Sequence, residues 1–379
     1  MFENLKIGIL GGGQLGAMLL RYAIDFGLQI AVMDKDESVP CSRHTAQFHL
    51  GDPDNYEDVL AFGEILDVLT IEKEAVNVAA LKALRNKGVR VYPSPETIEI
   101  IQDKYLQKAF LIKNNIPVVP GWLIQSSDEL KLHSGKLPAI LKQCKSGYDG
   151  KGVMVLRDEA DFEKAFDAPC LLEQLVELKH ELSVIVSRNE SGLVECYDPV
   201  LMVFDKERMI LDFQVCPANI EMDLAMKACN IAIKTAEALD LTGIMAVEMF
   251  VAQDGQLYVN ELAPRPHNSG HHTIEACSTS QFEQQIRLIL GLPMGSVKMN
   301  KASVMINILE PATHRKNAIR EALKTILCTN DAHLHWYGKK PGIVGRKMGH
   351  VTLTETNFEN VMSKAIMIRH LLRNETETK

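Results

Sequence analysis

Hydrophobic residues in the first quarter of the chain come as short unbroken runs separated by stretches with helical spacing. Residues 6–10 and 29–33 read as buried strands, with an apolar helix between them through about Phe26. Further strands are expected at 65–71 and 89–92, with a helix over 74–86. Four strands alternating with helices predict a parallel α/β domain ending at about Pro93. A single helix follows over 96–114, then strands at 119–124, 138–142, 153–156 and 169–176, with helices at 127–133 and 158–166. From there the pattern becomes antiparallel, with strands at 182–187, 193–197, 200–204 and 209–215 and a long amphipathic helix over 220–239. Past a hairpin at 243–262, strands are expected at 303–309 and 349–354 and helices at 315–326 and 356–373.

The hairpin organises the rest. Two apolar, β-favouring runs flank Asp254-Gly255, a strong signal for a two-residue turn. Pairing outward from Gln253 and Gln256 sets Glu248 opposite Glu261. Opposed side chains lie roughly 5 Å apart, where two carboxylates repel by about 3 kcal/mol at an effective dielectric near 20. A divalent cation is the simplest compensation, and hard carboxylate oxygens suit Mg²⁺. A loop of three or more residues would instead slip the register and turn one glutamate to solvent.

Other motifs point toward anions. Gly11, Gly13 and Gly16 fit a GxGxxG turn between strand and helix, and Asp34 ends the second strand, as in a dinucleotide site. A ligand-free tight turn would have the same sequence. Glu72 and Glu74 follow a strand's carboxyl end, where such sheets bind ligands; solvated acids at a helix start are the alternative. Lys142 closes an apolar strand, either snorkelling outward or reaching a phosphate. Three glycines in Ser146-Gly-Tyr-Asp-Gly-Lys-Gly152 predict a flexible loop whose N–H groups suit phosphates, without the ending of a Walker loop; a plain hairpin loop is the alternative. After Glu261, the residues Arg265, His267, Asn268, His271 and His272 crowd beside the expected metal, with Arg265 suited to an anion. Residues 336–350 form a basic, glycine-rich stretch that reads as an anion site, with a solvated basic loop as the alternative.

Composition narrows the class. The chain has 379 residues, 46% hydrophobic and 24% charged, enough for two or three domains. A net charge of -8 argues against general nucleic-acid binding. Eight scattered cysteines contain no CxxC pair and read as reduced cytosolic thiols. No apolar run is long enough to span a membrane, and the first residues do not read as a signal peptide.

Together these motifs resemble the ATP-grasp ligases, and within them the N5-carboxyaminoimidazole ribonucleotide synthetases of purine biosynthesis. The matching stretches are Gly11–Gly16, Asp103-Lys104, Gly147–Gly152, Glu181–Ile185, Asn260–His272 and Gly345–His350. The resemblance implies an α/β and α+β ATP-grasp fold: a Rossmann-like, biotin-carboxylase-like parallel domain over 1–95, a central ATP-binding region over 96–298 and a C-terminal domain over 299–379. In the central region it implies a small lid at about 119–176 and a metal-hairpin part at about 177–298.

The family's pattern implies that Lys104, Lys142, Gly147, Gly150, Lys151 and Asn260 meet ATP. Glu173, Gln174 and Val176 would hold its adenine, and Glu181 its ribose. Glu248 and Glu261 become ligands of Mg²⁺, or of Mn²⁺ in its place. Gln14, Leu15, Glu72, Asn268, Lys339, Arg346 and Lys347 fall where the family meets 5-aminoimidazole ribonucleotide. Tyr148, Asp149, Arg265, His267 and Lys339 are the catalytic candidates, with Arg265 on bicarbonate and Asp149 and His267 handling protons. The implied enzyme is a cytoplasmic homodimer acting on ATP, bicarbonate and that ribonucleotide, with neither nucleic acid nor membrane as partner.

The chain departs from the family's usual residues at Ala17, Lys73, Ala75, Cys144, Lys145, Val153 and 341–345, several of them near the expected ribonucleotide site. Three other readings are a formate-dependent glycinamide ribonucleotide transformylase, a nicotinamide dehydrogenase and a binding protein that kept the fold. The dehydrogenase leaves Glu248, Glu261 and the 147–152 loop without a role.

Overall fold

The structure is a computed structural model that describes residues 4–145, 152–205, 210–311 and 316–373. The first layer is a parallel sheet of β1 (Ile7–Leu10), β2 (Ile30–Asp34), β3 (Phe48–Leu50), β4 (Val68–Ile71) and β5 (Arg90–Tyr92), in the order β3-β2-β1-β4-β5. Helices α1 (Gln14–Asp25), α2 (Tyr56–Gly63) and α3 (Val78–Asn86) connect it. The expected parallel domain is present with two more elements than the pattern gave, β3 and α2. Strand β3 is a short, largely exposed edge with no buried run to mark it. Helix α2 is fixed by its cap, where Asn55 accepts from the Asp58 N–H at 3.1 Å, and by burial of Val59 and Phe62.

The expected helix over 96–114 is two helices, α4 (Pro95–Ile101) and α5 (Lys104–Lys113). Asp103 ends the continuity because its carboxylate caps α5, accepting from the N–H groups of Tyr105 and Leu106. A second, antiparallel sheet follows: β6 (Gly121–Ile124), β7 (Ala139–Gln143), β8 (Val153–Leu156) and β9 (Cys170–Gln174), ordered β6-β9-β7-β8. The helices expected at 127–133 and 158–166 are 3₁₀ segments, Ser127–Lys136 and Glu159–Lys164. Both are too short of apolar residues to bury a full helical face.

The large sheet contains β10 (Leu178–Arg188), β11 (Val194–Cys196), β12 (Val200–Asp205), β13 (Ile210–Cys216), β14 (Gly243–Ala252), β15 (Leu257–Ala263), β16 (Ala302–Leu309), β17 (Ala332–Trp336) and β18 (Lys347–Glu355). Its path is β15-β14-β10-β12-β13-β16-β18-β17, with β11 on β10. Because β13 pairs with β16, one sheet carries the hairpin into the C-terminal region. Helix α6 (Met222–Ala238) lays Ala228, Ala232 and Ala236 on Val184 and Val247. The short α7 (Thr273–Ala276) leads to α8 (Gln281–Ile289), and α9 (Lys316–Cys328) and α10 (Phe358–Arg373) cover β16 and β18.

Helix α8, α7 and β17 were not expected from the pattern. Phe282 and Ile286 of α8 share a core with Leu19 of α1, joining the parallel domain to the large sheet. Its glutamines 281, 284 and 285 are also buried, which disguised it as polar.

The hairpin corrects one expectation and keeps its consequence. Its loop is Gln253, Asp254 and Gly255, because the Ala252 N–H donates to the Gln256 carbonyl at 2.9 Å. Gly255 takes a φ of 82°, which a glycine adopts without strain. Met249 thus pairs with Val259, one step off the two-residue register. Asn260 then bulges from β15, and Glu248 regains Glu261 as its partner.

Candidate active site

The strand order reverses between β1 and β4, and ligands bind outside the carboxyl ends of strands at such a point. The glycine turn follows β1 and Glu72 follows β4. A Cβ on Gly13 would stand 2.3 Å from Glu72 Oε1, so only glycine lets that carboxylate lie beneath the turn. There it accepts from the Leu15 N–H at 3.3 Å. Burial pushes the Glu72 carboxyl up, against the pull of Arg265 and Lys73.

Gln14 begins α1 beside it, half-buried. The Leu15 side chain belongs to the core, so this residue offers a ligand only its backbone, and Glu72 already takes the N–H. Asp34 braces the turn rather than facing a ribose. It is buried, accepts from the Gly12 N–H at 2.8 Å and lies 3.3 Å from Lys73 Nζ. That removes the second contact of a dinucleotide site, and it gives Lys73 a partner.

Across the cleft, α5 and the second sheet bring lysines together. Lys108 Nζ and Lys142 Nζ each lie 2.7 Å from a different oxygen of Glu173. Lys142 also donates to Asn260 Oδ1 at 2.8 Å, and Lys104 Nζ lies 3.3 Å from Glu261 Oε1. Burial alone would raise the Glu173 carboxyl; Lys142 and Lys108 hold it below its ordinary range. The Glu173 carboxylate is thus committed to these lysines, and its backbone is paired within the sheet, opposite Gly121 on one side and Ile140 on the other. Gln174 ends β9 exposed, and Val176 follows half-buried. Lys108 was missed in the sequence, although it stands one helical turn from Lys104 on α5. The departure at Cys144 points inward, and its carbonyl accepts the Lys104 N–H at 2.9 Å.

The bulge aims Asn260 and Glu261 at the side of the hairpin where Glu248 lies. Burial, then Glu261 and Glu181, push the Glu248 carboxyl up to about 8. Glu181, paired with Phe250 across β10 and β14, is pushed to about 7 by burial against Lys142. Acids set this closely fit a divalent cation. Among the described residues no three His, Cys, Asp or Glu side chains form a metal cluster. Two carboxylates completed by phosphate oxygens are the set Mg²⁺ commonly takes.

His267 Nε2 lies 3.4 Å from Glu248 Oε1, while Nδ1 accepts from the Ser269 N–H at 3.3 Å. This assigns the proton to Nε2, facing the carboxylate. Burial, Arg265 and Lys347 keep the ring neutral. The Gln281 amide clamps the His267 backbone, accepting from its N–H at 2.9 Å and donating to its carbonyl at 2.7 Å. Arg265 Nε lies 2.8 Å from Glu74 Oε1, and Nη2 donates to Oε2 at 3.0 Å. Asn268 is buried with both amide atoms unpartnered.

Lys347 opens β18, and its charge reaches Glu248, His267 and His271. Buried His271 and His350 stack with half-buried His335 behind the site, with centroids 4.6 and 4.4 Å apart. The Arg346 Nη1 donates to the Lys340 carbonyl at 3.2 Å, and the Lys339 ammonium lies 5.3 Å from the Tyr337 ring centre. Asp36, held low first by its bonds to Ser38, also lies in the field of Lys340 and Arg346. The basic stretch therefore faces the loop after β2, where Arg43, unnoticed in the sequence, comes close to Gly338. Gly147, Tyr148, Asp149, Gly150 and Lys151 lie outside the described residues.

Three family matches tile the chain: a ribonucleotide synthetase preATP-grasp domain over 4–102, an ATP-grasp domain over 109–282 and a phosphoribosylaminoimidazole carboxylase C-terminal domain over 303–364. An N5-carboxyaminoimidazole ribonucleotide synthase of Bacillus subtilis is 38% identical over 358 residues, covering 93% of this chain and 92% of its own. A solved N5-carboxyaminoimidazole synthase from Aspergillus clavatus, in complex with ADP and 5-aminoimidazole ribonucleotide, superposes with a TM-score of 0.91 at 31% identity, covering 99% of this chain and 100% of its own. The ADP complex of another N5-carboxyaminoimidazole ribonucleotide synthetase gives 0.90 at 36% identity, covering 98% and 97%. The chain belongs to the N5-carboxyaminoimidazole ribonucleotide synthase family of ATP-grasp ligases.

Proposed function

We propose that this chain uses ATP and bicarbonate to carboxylate the amine of 5-aminoimidazole ribonucleotide, giving the N5-carboxyamino product, ADP and phosphate. The observation that carries this is one cleft combining Lys104, Lys142, Asn260, Glu248 and Glu261 with Arg265 and His267, within reach of Glu72 at the glycine turn. A phosphoryl donor, an oxyanion pocket and a second substrate site are then adjacent.

Bicarbonate is a poor electrophile, so its oxygen first attacks the γ-phosphorus and ADP leaves, forming carboxyphosphate. Lys104 and Lys142 neutralise charge on the transferring group. Glu248 and Glu261 would hold Mg²⁺, or Mn²⁺ in its place, which when bound adds the same stabilisation. Arg265 orients bicarbonate by a planar fork. The amine of the ribonucleotide then attacks the carboxyl carbon, the bond to the bridging oxygen breaks, and phosphate departs. His267 would pass the released proton, with Asp149 as the second candidate. Glu181 would meet the nucleotide ribose and Val176 the adenine. Gln14, Glu72, Asn268, Arg346 and Lys347 would hold the ribonucleotide, with Lys339 beside its phosphate. The resemblance further supports a homodimer working in the cytoplasm.

ADP release that requires both bicarbonate and 5-aminoimidazole ribonucleotide is the expected result. Release supported by formate and glycinamide ribonucleotide would move the chain to the transformylase reading.

A further inference from the structure

Three consecutive residues after β4 are each fixed by a different partner: Glu72 under the glycine turn, Lys73 on Asp34 and Glu74 on Arg265. Glu74 is also held from behind. The Gln102 side-chain amide, between α4 and α5, donates to the backbone carbonyls of Glu74 and Val76 at 2.6 and 2.8 Å. Its carboxylate takes the Nε–Nη2 side of the guanidinium, and the Pro266 carbonyl accepts from Nη1 at 3.0 Å. Guanidinium has five N–H donors. Nε lies against Glu74 Oε1 without a hydrogen bond to it, and beyond the two bonds made by Nη1 and Nη2 one N–H on each remains. Two N–H groups are what a planar oxyanion needs for a two-point contact.

Arg265 also has competitors for its charge. Glu72 and Glu261 lie in its field after Glu74, and Glu248 responds to it in turn. A guanidinium released from Glu74 would be drawn to one of these, two of which belong to the proposed metal pair.

We infer that Glu74 is a positioning residue for the carboxylation: it occupies one side of Arg265, sets its plane, and reserves the remaining N–H groups for bicarbonate. The inference rests on the carboxylation reading above. It assigns the parallel domain a part in the chemistry of the ATP-grasp cleft, through a residue that need not touch substrate.

The test is steady-state kinetics of Glu74→Gln and Glu74→Asp with ATP, bicarbonate and 5-aminoimidazole ribonucleotide, alongside thermal melts. Glu74→Gln should raise the KM for bicarbonate by about tenfold or more, the loss expected when a charge-assisted two-point contact is disturbed. The KM for ATP should stay within about twofold, because no nucleotide contact passes through Glu74. Glu74→Asp keeps the charge with a shorter reach and should recover part of the loss; it also carries the test if the glutamine variant fails to fold. An unchanged bicarbonate KM in a folded variant overturns the inference. So does a rise in both KM values together with a lowered melting point, since that is a merely structural effect. If the unmutated protein itself shows no bicarbonate-dependent turnover, the carboxylation reading fails and takes this inference with it. Normal turnover in the unmutated protein and in both variants removes only the role of Glu74.

Discussion

Glu248 and Glu261 are cross-strand partners because Asn260 bulges from the strand between Val259 and Glu261. Without the bulge Glu248 would face Asn260, and Glu261 would turn toward the opposite face of the hairpin. The extra residue also carries an amide to Lys142. Two neighbouring substitutions should therefore separate. Asn260→Ala should raise the KM for ATP about tenfold, the size of one charge-assisted hydrogen bond, with an unchanged Mg²⁺ requirement. Glu261→Gln should raise the Mg²⁺ concentration needed for half-maximal rate. Magnesium titrations at saturating ATP distinguish the two.

Glu173 serves two buried ammonium groups, Lys108 and Lys142, whose side chains are 5% and 13% exposed. Glu173→Gln should cost about 3–5 kcal/mol of stability, as when one partner of a buried ion pair is removed. It should weaken ATP binding as well, because Lys142 loses its support. Adding Lys108→Met should restore part of the stability by removing one unpaired charge. Chemical denaturation measures both effects, and a loss below about 1 kcal/mol would mean the pair contributes little.

The Glu181 carboxyl is pushed up to about 7 by burial. A carboxyl with a raised folded-state pKa favours folding at low pH, and that contribution is lost as pH rises from its ordinary value through about 7. In nucleotide-free protein with chelator, Glu181→Gln should therefore gain in melting temperature relative to the parent as pH rises from 4.5 to 8. A difference that stays flat with pH would contradict the burial account.

Gly13 leaves room for Glu72, since a Cβ there would come within 2.3 Å of its carboxylate. Gly13→Ala should displace Glu72 and raise the KM for 5-aminoimidazole ribonucleotide, leaving the KM for ATP nearly unchanged. Initial rates with each substrate varied in turn test this. A change in the ATP value alone would put Glu72 on the nucleotide instead.

The sequence carried much of the fold because its strands are buried on both faces or alternate cleanly. Pattern alone identified β1, β2, β4, β5 and the hairpin. It failed where local chemistry outweighed periodicity. Asp103 broke a helix by capping its second half, and α8 hid three buried glutamines that bond to backbone and side chains elsewhere. The pairing of Glu248 with Glu261 was anticipated on a two-residue loop, whereas a longer loop and a bulge offset each other. Lys108 was missed as a site residue, and Glu74 was noted only as an acid after a strand, because their roles depend on partners 65 and 191 positions away, Glu173 and Arg265. The resemblance supplied the nucleotide and ribonucleotide contacts, which periodicity does not encode.

The most direct measurement is transfer of oxygen from bicarbonate to phosphate. The protein is mixed with oxygen-18 bicarbonate, ATP, Mg²⁺ and 5-aminoimidazole ribonucleotide, and the released phosphate is analysed by mass spectrometry before the label exchanges with water. Attack of bicarbonate on the γ-phosphorus predicts one labelled oxygen in each phosphate, formed together with the carboxylated product. Unlabelled phosphate accompanying ADP would contradict carboxyphosphate formation, and with it the central claim.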